Sequence, residues 1–143
     1  MNTTRFKSSK NTLIISLLCG IAILLLSIIG VAIYFGERNI LSISAASCVA
    51  ALIIWIILDT RYVIKETDLL YRSGPFRGRI SIAEIKKIEA FSGMNPQVTM
   101  KPALDYKGFI LFYNKYDALF ISPEKSEIFI ESLLKINSGI EVK

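Results

Sequence analysis

Two stretches decide the fold: TLIISLLCGIAILLLSIIGVAIYF at residues 12–35 and ILSISAASCVAALIIWIIL at residues 40–58, parted only by GERN at 36–39. Neither stretch holds a charged residue. As helices, their 24 and 19 residues would extend about 36 Å and about 28 Å, against roughly 30 Å of bilayer hydrocarbon. A four-residue polar connection permits an antiparallel helical hairpin and little else. Core helices of a water-soluble protein are the alternative, but uncharged runs of this length are rare there. Residues 12–58 are therefore read as a two-span transmembrane hairpin.

A cleaved signal peptide competes for the first run, because Arg5, Lys7 and Lys10 precede it. The run exceeds the roughly 7–15 apolar residues of a signal sequence, and no small-x-small cleavage site leads into a soluble segment. It is read as retained. Three basic residues precede the first span, and Arg61, Lys65 and Arg72 follow the second. The connection carries only Arg38 beside Glu37. This Lys/Arg bias places both termini in the cytoplasm. Tyr34 and Trp55 sit near span ends, where interfacial aromatics gather. Ser16/Gly20, Ala46/Ala50 and Ser47/Ala51 have the small-xxx-small spacing that lets helices approach closely, within one hairpin or between copies of the chain. No ionisable Asp, Glu, Lys or Arg lies within the spans, so nothing marks an ion path, and they read as an anchor.

Composition divides along the same line. The 143 residues have a mean hydropathy of +0.50 and a formal charge of +5, with no His. Residues 59–143 contain 38 hydrophobic residues among 85, an ordinary globular share, with 13 Lys/Arg against 11 Asp/Glu. The remaining excess comes from Arg5, Lys7 and Lys10, so the charge reports orientation rather than a nucleic-acid partner. Without His there is no Ser-His-Asp triad and no His-based metal site. Cys19 and Cys48 lie inside apolar runs, away from any metal-ligand cluster. Small residues precede Cys48, as in a lipoprotein acceptor, but too far into the chain for that role. Glu84, Glu89, Asp105 and Asp117 lack the spacing of a catalytic pair. Gly74 and Gly78 lack the Lys-Ser/Thr and following helix of a phosphate loop. Aromatics such as Phe109, Phe112 and Phe120 lack the interleaved positive charge of a base-stacking surface. The expectation is no enzyme, no metal, no cofactor and no nucleic acid.

Residues 59–143 read mostly as strands. YVIK at 62–65 and LLYRS at 69–73 flank a polar turn, and RISI at 79–82 alternates as a half-buried strand should. Residues 83–91 suggest a short helical turn running into another strand. GFILFY at 108–113 and ALFIS at 118–122 form a second hairpin around NKYD. Ser122 is a candidate cap for a helix beginning at Pro123, with Phe129, Leu133 and Ile136 on one stripe and Gly139 as its stop. Residues 92–107, with Pro96 and Pro102, form a long connection: a candidate protein contact, or cover for a short strand near 97–100.

In order and spacing, TRYVI at 60–64, LLYRSGPF at 69–76, Ile80 followed by IAEIKKI at 82–88, and ALFISP at 118–123 resemble the bacterial pleckstrin-homology-like domains. The nearest likeness is a small group, formerly a domain of unknown function, often found behind one or two membrane spans. The resemblance implies an α+β domain: a bent antiparallel sheet or partial barrel closed by a C-terminal helix. The organisation expected is a basic cytoplasmic N-terminus at 1–11, the transmembrane hairpin at 12–58 and the cytoplasmic domain at 59–143. The protein is placed in the bacterial plasma membrane as a multi-pass protein.

The suggestive polar feature is RSGPFRGR at 72–79. Arg72, Arg77 and Arg79 around a Gly-Pro turn could converge on phosphate, with Phe76 at the tip dipping into the interface. If Arg72 and Arg77 point apart, the plainer alternative holds: a solvated hairpin whose arginines keep an edge soluble. Near an anionic leaflet each basic residue gains about 1 kcal/mol without any specific site. The function expected is a membrane-anchored binding or scaffold module recruiting a protein, a second copy of the chain or anionic lipid headgroups. The alternative is a subunit of a membrane complex, or a small immunity or stress-tolerance protein, whose spans carry the activity.

Overall fold

The structure, a computed structural model, describes residues 3–36 and 39–143; Glu37 and Arg38 of the expected interhelical turn lie outside the described residues. The elements in chain order are β1 (Thr3–Lys7), α1 (Thr12–Tyr34), α2 (Ile40–Asp59), β2 (Arg61–Lys65), β3 (Asp68–Ser73) and β4 (Phe76–Ser81). A 3₁₀ turn (Ile82–Glu84) leads to β5 (Ile85–Ser92), β6 (Lys107–Tyr113), β7 (Asp117–Ile121), α3 (Ser126–Ile136) and β8 (Glu141–Val142).

The two long helices form where the sequence places them. The Asn11 side chain accepts from the Leu13 and Ile14 N–H groups at 3.0 and 3.4 Å, capping α1. Ala22 and Ala50 are the buried residues of these helices, and Leu18, Leu25, Ala46 and Ile53 flank them half-buried. These positions recur at alternating steps of three and four, a coiled-coil-like antiparallel seam. Of the expected small pairs, Ala46/Ala50 lies on that seam. Ser16, Gly20, Ser47 and Ala51 are exposed, because their positions fall on other faces of the helices.

β1 is the departure from the expected organisation. Residues 1–11 read as a basic tail, yet TTRFK pairs antiparallel with β2, Thr3 opposite Lys65 and Lys7 opposite Arg61. Phe6 alone of this strand is buried, its ring edge-on to Phe129 of α3 at 5.1 Å. One apolar residue among five is too little alternation to reveal a strand whose partner lies beyond both helices. The helical hairpin is thus inserted between two neighbouring strands of one sheet.

The strands form two four-stranded sheets, ordered β1-β2-β3-β4 and β7-β6-β5-β8. Both sheets and α3 share one core that includes Tyr62, Leu69, Ile88, Leu119, Phe129 and Leu133, each large apolar side chain contributing about 1.5–3 kcal/mol on burial. The result is a pleckstrin-homology-like sheet arrangement with a C-terminal helix, in two sheets bridged at Ser8–Pro123. The 3₁₀ turn supplies the expected helical turn, and Asn137 at the end of α3 pins it by donating to the Ile82 and Ile85 carbonyls at 2.9 and 3.2 Å.

Two local expectations change. α3 begins at Ser126 rather than Pro123, without a side-chain cap. Ser122 is held instead in a buried junction: its N–H donates to the Tyr62 phenol oxygen at 3.1 Å, and its hydroxyl shares a 3.1 Å hydrogen bond with Ser8. The Tyr62 hydroxyl donates to the Pro102 carbonyl at 2.6 Å. Residues 92–107 run along the edge of β7, where Thr99 N–H donates to Ala118 O and Phe120 N–H to Met100 O. Val98 and Ala103 pack there against Ile110, Ala118 and Phe120. The length of this connection is used in covering the second sheet.

Candidate functional site

Alternation along β1–β4 separates two faces. Phe6, Tyr62, Ile64, Leu69, Tyr71 and Ile80 enter the core. The antiparallel register aligns the outward residues in rows across the sheet. One row is Lys7, Arg61, Arg72, Arg77; the next is Arg5, Val63, Leu70, Arg79; the third is Thr3, Lys65, Asp68, Ser81. At about 4.8 Å between strands, the first row is about 14 Å wide and basic throughout.

That row is the one nearest the helices. Arg61 follows α2 after Thr60 alone, and the β3–β4 turn abuts the last turns of α2. A Cβ on Gly74, whose φ is +57°, would stand 2.8 Å from Ile56 Cγ1, so glycine is required by both conformation and space. Two residues of extended chain cover about 7 Å. An interfacial headgroup layer is about 5–7 Å thick on each side of the hydrocarbon.

Charge is segregated onto this face. Seven basic residues (Arg5, Lys7, Arg61, Lys65, Arg72, Arg77, Arg79) stand against Asp68 and the α2-terminal Asp59, and the other ten Lys/Arg of the chain are matched by ten Asp/Glu. The whole formal charge of +5 therefore resides here. Asp59 pairs with Arg72 Nε and, at 3.5 Å, with Arg61; Asp68 meets Arg79 at 2.7 Å. Arg77 has no acidic partner among the described residues.

Between the first two rows lies a shallow cavity of about 430 Å³, with Val63 and Leu70 on its floor and Arg61, Arg72, Arg77 and Arg79 around it. On the core side the Tyr71 ring lies across Gly78, where a Cβ would fall 2.2 Å from the phenol oxygen. Burial pushes that phenol above its ordinary 10.0, so it stays neutral at physiological pH.

The register puts Arg72 and Arg77 opposite each other, with Arg79 one row on, so the three expected arginines come together on one face. Phe76 does not join them. It opposes Ser73 on the other parity of β4, 54% exposed, beside Met100, Lys101 and Pro102. Arg5, Lys7 and Arg61 were missed as members of the site. The available signal was their alternation: Arg5 and Lys7 flank Phe6, and Arg61 precedes Tyr62 by one.

Elsewhere, no group of His, Cys, Asp and Glu among the described residues could hold a metal ion. Cys19 and Cys48 are free thiols on the exposed sides of the long helices.

A relative in Bacillus subtilis (strain 168), named "Uncharacterized protein YyaB", is 32% identical over 93 residues, covering 62% of this chain and 60% of that protein. The chain thus spans about three fifths of the length of this curated relative. No solved structure matches. The family model described as "Bacterial PH domain" matches residues 60–137, which takes in β2 to α3 and leaves β1 outside. Because the match covers more than half of the sequence and coincides with the sheets and closing helix, the chain belongs to the bacterial PH domain family.

Proposed function

We propose that this protein is a cytoplasm-facing docking module held at the membrane by its helical hairpin, recruiting a protein or anionic lipid at the inner surface. Membership of this family, together with a sequence that offers no nucleophile–base arrangement, supports binding rather than catalysis. The two helices have mean hydropathies of 2.9 and 2.5 over membrane-spanning lengths and leave large side chains such as Leu13, Leu24, Ile40 and Leu41 exposed. Apolar surface of this extent calls for lipid around it.

The observation that carries the reading is the basic sheet face at the helix ends. Both connections between hairpin and sheet are short, so the domain is held at two points rather than swinging on a linker. Its only net charge is presented where an anionic leaflet would lie if both termini are cytoplasmic.

Cysteine accessibility tests the topology. In a chain with Cys19 and Cys48 replaced by Ala, Gly36→Cys should react with an impermeant maleimide on intact cells. Ser138→Cys should react only after permeabilisation. The reverse pattern, or labelling of both sites on intact cells, overturns the orientation.

A further inference from the structure

We infer that the free edge of β4 is a docking site for an extended, acidic segment of a second protein, which joins the four-stranded β1–β4 sheet as an added antiparallel strand. This rests on the docking-module reading above and names the class of its partner.

The edge is open by register. Gly74 and Pro75 form a two-residue turn that sets Ser73 opposite Phe76. The turn's own hydrogen bond makes these two a bonded pair, and bonded and non-bonded pairs then alternate along the hairpin. Ile82 N–H, which donates to Thr67 O at 2.8 Å, keeps the same parity. The N–H and C=O groups of Arg77, Arg79 and Ser81 therefore point away from β3, and no backbone group among the described residues meets them. By contrast, Glu124 N–H donates to Lys7 O beside β1, and Thr99 and Met100 lie along β7.

Charge selects the occupant. In an added strand, the residues opposite Arg77 and Arg79 share their outward face. Asp59 serves Arg61 and Arg72, which leaves Arg77, at the edge end of that row, without an acidic partner among the described residues. Arg79 meets Asp68, but its side chain is 70% exposed; such a pair contributes little and leaves most of the five guanidinium donors free. A second copy of β4 is the wrong occupant. A two-fold centred on Gly78 sets Arg77 against Arg79 of the other copy, and one centred on Arg79 sets that residue against its own counterpart. Like charges directly opposite are destabilising.

The core side of the edge adds a polar contact. Tyr71 is 8% exposed, and its phenol oxygen lies over Gly78, 2.2 Å from where a Cβ would stand. No described residue hydrogen-bonds it. A strand about 4.8 Å beyond β4 brings the side chain opposite Gly78 within reach of that hydroxyl. The next core-side place lies beside Phe76, 54% exposed, near a cavity of about 210 Å³ lined also by Met100 and Pro102. Read toward the turn, the segment that fits is acidic, hydroxylated, acidic, apolar.

The probe is a labelled peptide, Thr-Val-Glu-Ser-Glu-Leu, titrated by fluorescence anisotropy against the full chain in phosphatidylcholine nanodiscs. It should bind saturably, one per chain. N-methylation of both Glu amides, which face β4 in this register, should abolish binding; N-methylation of the Val and Ser amides, which face away, should leave it intact. Arg77→Glu should weaken binding about tenfold, and a peptide with Lys in place of its second Glu should recover it. Tyr71→Phe removes no internal hydrogen bond and should weaken binding about fivefold, whereas a peptide with Ala in place of Ser should not distinguish this variant from the unaltered protein.

Equal binding of the two methylated peptides means charge adsorbing to a basic face and overturns the edge site. So does unaltered affinity in either variant, or no saturable binding, the result expected if Arg77 and Arg79 only keep the edge soluble. The cysteine pattern reports on orientation separately, so absent binding in a correctly oriented chain refutes the edge site alone.

Discussion

Tyr62→Phe isolates one oxygen at the junction of the two sheets. The ring stays, so no cavity opens, and its edge contact with Phe129 at 6.2 Å is kept. What is lost is the hydroxyl that donates to Pro102 O at 2.6 Å and accepts from Ser122 N–H at 3.1 Å. Both partners are buried, and neither has a second partner positioned to replace it, whereas the Ser8 and Ser122 hydroxyls retain each other. Leaving a buried donor and acceptor unpaired costs about 1–3 kcal/mol, so about 2 kcal/mol is expected near neutral pH. Pulse proteolysis of the full chain in mild detergent across a urea series would read this as a lower midpoint with unchanged slope.

The same substitution has a pH signature. Burial pushes the Tyr62 phenol above its ordinary 10.0, against the smaller opposing effect of its hydrogen bonds. As pH rises past 10.0 the unfolded phenol releases its proton while the native one keeps it. The unfolded state then binds fewer protons, and stability falls by up to about 1.4 kcal/mol per pH unit from this group. Tyr71 and Tyr113 are also raised and keep their share of the alkaline decline in both proteins. The gap between wild type and Tyr62→Phe should therefore be constant below pH 9 or so and narrow above 10.0. A gap that stays constant through the alkaline range, or a neutral-pH loss below about 0.5 kcal/mol, refutes the account of this junction.

Other consequences are sharper in direction than in size. Residues 59–143 alone lack β1 and expose the edge of β2, so this fragment should resist proteolysis less than a fusion in which residues 3–11 are joined to it by a short flexible linker. Equal resistance would mean that β1 is dispensable. Phe6→Ala, at a site 5% exposed, should cost the full chain about 3–5 kcal/mol in urea unfolding. Gly108→Ala places a Cβ 2.1 Å from Ile121 O; forcing β6 from β7 should lower stability by about 1–3 kcal/mol, with the fastest-rising hydrogen exchange at Phe109 and Ile121. Ala50→Leu, at a position 2% exposed, should splay the helical hairpin, read as a longer distance between spin labels placed on α1 and α2.

Much of the fold is written in local pattern. The two apolar runs, the β2–β3 and β6–β7 hairpins and the amphipathic stripe of α3 each carry their own periodicity, so each is legible without its partner. β1 is not, because TTRFK becomes a strand only through pairing with residues beyond the hairpin. Ser122 misleads for a related reason: its spacing to Pro123 suits a cap, but Tyr62 and Ser8 compete for the same polar atoms and win by burial. The arginines of 72–79 were visible as a cluster. Their common face was not, since it depends on Arg72 falling opposite Arg77, a matter of turn geometry at Gly74-Pro75. Arg5 and Lys7 read as a topogenic charge and are also part of the sheet.

Placing the hairpin between β1 and β2 couples two assembly steps. β1 is synthesised before the hairpin, but its hydrogen-bonding partner leaves the ribosome only after both long helices have been made, at roughly 5–20 residues per second. Until then Phe6 has no core to enter. A chain whose two helices do not fold back on each other would hold β1 and β2 apart, leaving an open strand edge and an unfilled place beside Phe129. Completion of the first sheet is thereby tied to the hairpin: the edge of β2 closes only once the chain on both sides of the two helices returns to the same end.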